Sequence, residues 1–327
     1  GILYAKYKET KLMEHINLFW SRLNIPTLLQ ACKDNYHWKE AVFLYTCYDQ
    51  YNNAIDTIIQ HSPSCWNHKQ FKGIIIRVNN TEVFYRAINF YLKEHPLLLS
   101  ELLVELSAKL DHKRVVQTIK MSGQIPLIKG YLQHVQRDNN SVVNEALNEL
   151  LVEESNYESL RESIDEYDAF DQIALAQKLQ KHDLLEFRRI SAYLYKRNKR
   201  MKVSIELSKK DKLWQDAMET AAASEDKELA EELLRFFVNT QDCPKSCFAA
   251  CLFTCYKLIR PDVVLELAWR NNLTEFAMPY MVQTFRTFSD KLDFVNQKIT
   301  QQEIKAEEEV KKMQEAKEQE NNAIARQ

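Results

Sequence analysis

The sequence predicts an all-α fold: a right-handed α-solenoid of stacked short helical hairpins ending in one longer C-terminal helix. Three observations lead there. Only four glycines (Gly1, Gly73, Gly123, Gly130) and seven prolines occur in 327 residues, too few turn formers for a strand-rich or α/β architecture. A local signature also recurs, a large aromatic followed at the third position by Ala and then an aliphatic: Trp38-x-x-Ala41-Val42, Tyr51-x-x-Ala54-Ile55, Phe84-x-x-Ala87-Ile88 and Trp214-x-x-Ala217-Met218. Finally, Ala41 and Ala54 stand thirteen residues apart, as do Ala217 and Ala230. A bulky side chain with Ala beside it on one helical face lets antiparallel helices approach closely. Hairpins that bury that face only against their neighbours form a solenoid. The alternative is an irregular helical domain in which Ala–aromatic pairs recur by chance.

In chain order, helices are expected over Glu14 to Leu23, Pro26 to Lys33, Trp38 to Tyr48 and Asn52 to His61, each separated by a few polar residues. Asp34-Asn35, Asn79-Asn80, His112, Asn139-Asn140 and Asn198 mark inter-helix turns, while Pro96 and Pro126 favour helix starts. This solenoid is assigned to residues 1–242. The next segment, 243–299, opens with Cys247, Cys251 and Cys255 at i, i+4 and i+8, breaks at Pro261 and resumes as Val264 to Arg270. After Pro279, Met281, Phe285, Phe288, Leu292, Val295 and Ile299 recur at alternating steps of four and three, a heptad seam. Such a stripe either lies back on its own domain or packs on copies of itself. Residues 300–327 alternate acids and bases with few large apolar groups, which predicts a solvated helix that frays or a disordered tail. The opening Gly1-Ile-Leu-Tyr reads as mid-helix, so a section of something longer is expected.

A net charge of -2 gives no global reason to expect nucleic acid. No apolar run approaches the roughly 20 residues of a membrane span, and the stretch Leu3 to Lys11 is too charged for a signal peptide. An odd number of cysteines, seven, suits a reducing, cytosolic compartment.

Candidate chemistry is sparse. His61-x3-Cys65-x2-His68 has metal-ligand types but lacks a fourth ligand nearby, and with Pro63 and Ser64 it reads better as a turn. Cys247, Cys251 and Cys255 share one helical face and cannot wrap an ion alone; small buried hydrophobes that allow close helix contact are the simpler reading. Between Arg188 and Lys202 lie seven bases with Tyr193 and Tyr195 among them. A nucleic-acid groove could look like this, but a solvated helix end or an acidic protein partner fits better beside Asp211, Glu225 and Asp226. Asp165, Glu166, Asp168 and Asp171 lack the loop glycine of a calcium site. Gly123 and Gly130 are isolated, so no phosphate-cradling loop exists. No catalytic residue, metal or cofactor is expected.

Several segments resemble the clathrin heavy-chain family over its proximal leg and C-terminal hub. They include Glu14-His-Ile-Asn-Leu-Phe-Trp-Ser-Arg-Leu-Asn-Ile-Pro26, Tyr85-Arg-Ala-Ile-Asn-Phe-Tyr-Leu92, Leu184-Leu-Glu-Phe-Arg-Arg-Ile190, Cys247-x3-Cys251-Leu-Phe-Thr-Cys255-Tyr and Phe276-Ala-Met-Pro-Tyr280. The resemblance runs in register from about Leu3 to about Lys291. It implies a non-enzymatic coat scaffold: a leg whose C-terminal helices meet two others as a homotrimer, the triskelion. It also implies contacts with neighbouring triskelion legs, light chains along the proximal leg, and membranes reached only through adaptors, on the cytoplasmic face of coated pits and vesicles. On that reading Met281, Phe285, Phe288, Leu292, Val295 and Ile299 are the trimer contact, Cys247, Cys251 and Cys255 match the hub cysteines, and Lys6, Lys8 and Lys11 match basic light-chain positions. The apolar chaperone-recruiting motif that family members carry beyond the hub has no match in Asn321 to Gln327. The competing expectation is a monomeric solenoid subunit of a membrane-tethering or other vesicle-coat complex.

Overall fold

The computed structural model describes the backbone of residues 1–240 and 243–324, with side chains through 305 and at 307. No strand occurs among the described residues. The chain forms two compact units, Gly1–Gln172 and Ile173–Gln327. That division falls inside the stretch expected as one solenoid over 1–242.

The first unit holds α1 (Ile2–Tyr7), α2 (Leu12–Phe19), α3 (Ile25–Asp34), α4 (Trp38–Cys47), α5 (Tyr51–Gln60), α6 (Ser62–Cys65) and α7 (His68–Ile75). It continues with α8 (Thr81–Glu94), α9 (Leu99–Leu106), α10 (His112–Met121), α11 (Lys129–Val135), α12 (Ser141–Glu153) and α13 (Tyr157–Glu166). From the boundary onward come α14 (Gln172–Leu179), α15 (Leu185–Arg197), α16 (Met201–Lys210), α17 (Trp214–Ser224), α18 (Lys227–Asn239), α19 (Lys245–Thr254), α20 (Pro261–Arg270) and α21 (Thr274–Ile324).

Capping explains where these helices start. Asn67, Asn80, Asp111, Asn140, Asn156 and Asp226 each accept from backbone N–H groups of the first turn, at 2.9 to 3.3 Å, satisfying donors that have no intrahelical partner. The ends are closed by a repeated device. At Tyr36, Asp49, Ser155, Lys199, Lys212 and Asn272 the backbone turns left-handed, with φ between 55° and 61°. The next N–H then reaches back five residues: His37 to Cys32, Gln50 to Tyr45, Asn156 to Leu151, Arg200 to Tyr195, Leu213 to Ser208 and Leu273 to Ala268. This is a Schellman closure, and it normally favours glycine. Only Gly123, at φ 66°, supplies one here. At three tips an Asn precedes the left-handed residue and donates to the carbonyl four positions back: Asn35, Asn198 and Asn271, at 2.7 to 2.9 Å. The scarcity of glycine that argued for helices therefore carries a local cost of roughly 1 kcal/mol per non-glycine tip.

Packing follows the Ala signature. Ala41, Ala54, Ala87, Ala217 and Ala230 are all completely buried, and the thirteen-residue spacing joins α4 to α5 and α17 to α18. Between successive hairpins ion pairs form a ladder near one spacing. Lys72 reaches Glu101 at 2.7 Å and Glu105 at 3.0 Å, and Lys120 reaches Glu149 at 2.7 Å. Gly130 lets α11 approach α9, since a Cβ there would stand 3.1 Å from Ser100 Oγ, the same hydroxyl that accepts from the Tyr131 N–H at 3.2 Å.

In the second unit one core gathers Ala217, Leu233, Phe237, Phe248, Cys251, Leu252, Val264 and Ala268 with Ala277, Tyr280 and Met281 from α21. α21 is a single 51-residue helix with Pro279 inside it, about 75 Å long at 1.5 Å per residue. The segment 300–324, expected as a fraying or disordered tail, continues this helix; 325–327 lie outside the described residues.

Candidate assembly surface

The start of α21 is fastened to its own unit. Tyr280 is 1% exposed, donates to the Ile259 carbonyl at 3.1 Å and packs edge-on against Tyr256 at 5.3 Å. Thr284 donates to the Tyr280 carbonyl at 2.9 Å and lies 3.5 Å from the Tyr256 hydroxyl. Thr284 and Thr287 hold the Tyr256 phenol below its ordinary pKa by hydrogen bonding. From Phe288 to Lys305 every residue is exposed, so the helix has left its unit.

The heptad residues divide accordingly. Met281 is buried in its own core, unlike the other five residues expected at the trimer contact. Its angular position overlaps the Ala277–Tyr280–Thr284 face, so α20 and α19 cover it. Phe285, Phe288, Leu292, Val295 and Ile299 are between 46% and 64% exposed, an uncovered stripe on a solvated rod. The heptad reading missed further exposed apolar groups: Met278 and Val282 on α21, and Leu265 and Trp269 on α20. The signal was available for the last two, because Leu265 and Trp269 sit one position after the buried Val264 and Ala268.

The cysteines serve packing. Cys251 is completely buried and Cys255, which caps α19, is nearly so, its thiol 3.8 Å from the Met218 carbonyl. Cys247 is half-buried. Cys251 hydrogen-bonds to Cys255, and that bond with burial pushes its thiol pKa well up. Cys243, not singled out in the sequence, pairs with Cys247; burial and that pairing push it to about 12. All seven cysteines are free thiols.

The remaining candidates disperse. His61 stacks on Trp38 at 3.6 Å, the Cys65 thiol lies 3.2 Å from the His61 carbonyl, and His68 bonds to Tyr91 and Glu101. No cluster able to hold a metal occurs among the described residues. Arg188 grips both oxygens of Asp211 at 3.0 Å, and Arg189 grips Asp216 at 2.6 and 3.0 Å, tying α15 to the next hairpin. Arg161 pairs with Asp165 and Asn139 with Asp168. Lys6, Lys8 and Lys11 are exposed beside the exposed Leu3 and Tyr7. No described helix is long and apolar enough to cross a membrane.

A family model described as a region in clathrin and VPS matches residues 1–99 and 103–243. Clathrin heavy chain 1 of Oryza sativa subsp. japonica is 54% identical over 314 residues, covering 95% of this chain and 18% of that protein. Clathrin heavy chain 2 of Homo sapiens is 53% identical over 293 residues, with 90% and 18% covered. The clathrin heavy chain of Dictyostelium discoideum is 51% identical over 309 residues, with 94% and 18% covered. The chain thus spans under a fifth of the length of these relatives.

Proposed function

The chain belongs to the clathrin family, and from that premise we propose that it is a structural, non-catalytic section of a vesicle coat scaffold. In this reading it self-associates through α21 as a homotrimer and offers its helical hairpins to neighbouring legs. The observation that carries the reading is the uncovered stripe of Phe285, Phe288, Leu292, Val295 and Ile299 on a helix that has left its own core. Apolar residues at heptad spacing on a solvated rod lower their free energy by meeting equivalent stripes. Three such helices joined at one vertex multiply weak leg contacts into a stable lattice that still comes apart when single contacts are loosened.

Light chains are proposed to dock where Lys6, Lys8 and Lys11 stand with Leu3 and Tyr7. Membranes are reached only through adaptors, which places the protein on the cytoplasmic face of coated pits and vesicles. Sedimentation velocity across a concentration series tests the core of this. A mass near three protomers is expected, reduced to one by Phe285→Asp with Phe288→Asp at unchanged helicity. A double variant that stays trimeric removes the stripe from the interface. A parent chain that is monomeric throughout favours the tethering-type solenoid instead.

A further inference from the structure

Packing accounts for Cys251 and Cys255 but leaves a second pair of thiols, Cys243 and Cys247, unexplained. Both pairs are spaced four residues apart, and they differ in what surrounds them. Cys251 and Cys255 are 0% and 1% exposed, and the Cys255 N–H bonds to the Cys251 carbonyl at 2.9 Å, which fixes both on the closing turn of α19. Their hydrogen bond draws the Cys255 thiol below its ordinary pKa, yet burial keeps reagents in solution away from it. Cys247 is half-buried, and Pro244, Lys245 and Ser246, between the members of the second pair, are exposed. Cys243 stands before Pro244, the N-cap of α19, whose backbone is extended at φ -59° and ψ 137°. The Cys247 N–H bonds to the Pro244 carbonyl at 2.9 Å and not to Cys243. Side chains at i and i+4 on a regular helix keep their Cβ atoms about 5–6 Å apart, too far for a disulfide, which needs about 3.5–4.5 Å. Cys243 lies outside the helix, so its backbone can turn to close that gap. Reactivity is divided between the two thiols. Burial and the hydrogen bond to Cys247 hold the proton on Cys243. Cys247 sits in the first turn of α19, where the helix dipole favours a thiolate, and it is the member of the pair that meets solvent.

We propose that Cys243 and Cys247 form a peroxide-reactive dithiol, in which Cys247 is oxidised first and Cys243 resolves it as a reversible disulfide. The Cys247 thiolate attacks one oxygen of hydrogen peroxide, the O–O bond breaks, and the sulfur becomes a sulfenic acid. The departing hydroxide takes up the proton that Cys247 gave up and becomes water. The Cys243 sulfur then attacks the sulfenic sulfur, and its thiol proton leaves with the hydroxyl group as a second water. Two thiols and one peroxide thus yield one disulfide and two waters, the two electrons passing from sulfur to oxygen. Small thiols reopen such a bond by exchange, and transient disulfides of this kind are the ones a reducing compartment permits. Once formed, the bond ties the linker after α18 to the first turn of α19, beside the core that seats the start of α21. The proposal stands independently of the scaffold reading.

The test treats the reduced, folded full chain with hydrogen peroxide, then unfolds it, blocks remaining thiols with iodoacetamide and digests it with trypsin without reductant. Cleavage after Lys245 separates Cys243 from Cys247, so their disulfide is read as two joined peptides, lighter by two hydrogens than their sum. Joined peptides that dithiothreitol separates are expected, with Cys251 and Cys255 still alkylated. Cys243→Ser replaces the disulfide by a sulfenic acid on Cys247 that dimedone captures, and Cys247→Ser leaves Cys243 fully alkylated; both variants are compared with the parent at equal helicity. Full alkylation of Cys243 and Cys247 after peroxide overturns the proposal. So does a parent chain in which Cys247 is oxidised while Cys243 stays alkylated, or in which Cys251 and Cys255 are oxidised as fast. Joined peptides that persist in Cys247→Ser, or a disulfide linking two copies on a non-reducing gel, also overturn it.

Discussion

The hairpin stack and the outer half of α21 are built from the same residue types yet have opposite fates. Tyr280 is 1% exposed and Phe285, five residues on in the same helix, is 64% exposed. Phe237 and Phe248 are buried while Phe288 is not. Nothing in the helical periodicity separates the two groups. What separates them is a neighbour: α19 and α20 lie over one end of α21 and no described element lies over the other. An apolar stripe states which side chains share a face; the fold around it decides whether that face is core or contact.

The sharpest way to break this comparison is to truncate one residue from each group. Tyr280→Ala should cost about 3–5 kcal/mol, through lost packing and the orphaned Ile259 carbonyl, seen as a lower urea midpoint. Leu292→Ala should change monomer stability by less than about 0.5 kcal/mol and instead lower the sedimenting mass. Equal unfolding effects would mean that the outer helix is covered after all. Next in size, Ala54→Leu or Ala217→Leu should cost about 1–3 kcal/mol by overfilling a closed hairpin; thermal melts that stay within a degree would show the Ala signature to be incidental.

The buried thiols give a pH-dependent version. Burial, with Glu40 adding to it, holds the Cys32 thiol at about 12, and burial holds Cys65 at about 11, against an ordinary value of 9.0. In the unfolded chain these thiols lose protons above pH 9 while in the folded chain they keep them. Stability is therefore complete below pH 9 and declines as pH rises from there, by up to about 1.4 kcal/mol per unit for each thiol. Urea unfolding at pH 8 and pH 10 should show this decline, flattened in Cys32→Ala; an identical slope in that variant would remove Cys32 from the account. The smallest effect lies at the tips. Ser155→Gly, at φ 58°, should gain about 0.5 kcal/mol, whereas Gly123→Ala at φ 66° should lose about 1 kcal/mol; the opposite signs would fail if left-handed strain were not present.

Much of the architecture could be read before any coordinates. The Ala of each of the four Ala–aromatic motifs is completely buried, and Asn80 and Asn140, read as turns, cap α8 and α12. The tips were only partly legible: Tyr36, Lys199 and Lys212 carry no turn signal of their own, although Asp34-Asn35 and Asn198 marked two of them. The division at Gln172 had no compositional mark. Met281 obeyed the heptad spacing and the core phase at once, so sequence could not choose between them. Trp269 was overlooked because its segment was read as a run and not phased against Ala268.

The short tips have a mechanical consequence. Where two helices are joined by three residues already closed by backbone hydrogen bonds, as at Tyr36, Asp49 and Lys199, the connection contains little slack. Tension across such a tip cannot be taken up by straightening a loop; it must shear one helix from the next or unwind a helical turn. Each hairpin then resists tension on its own account, and a load shared along the stack is borne as stiffness until one interface ruptures, after which its neighbours still hold.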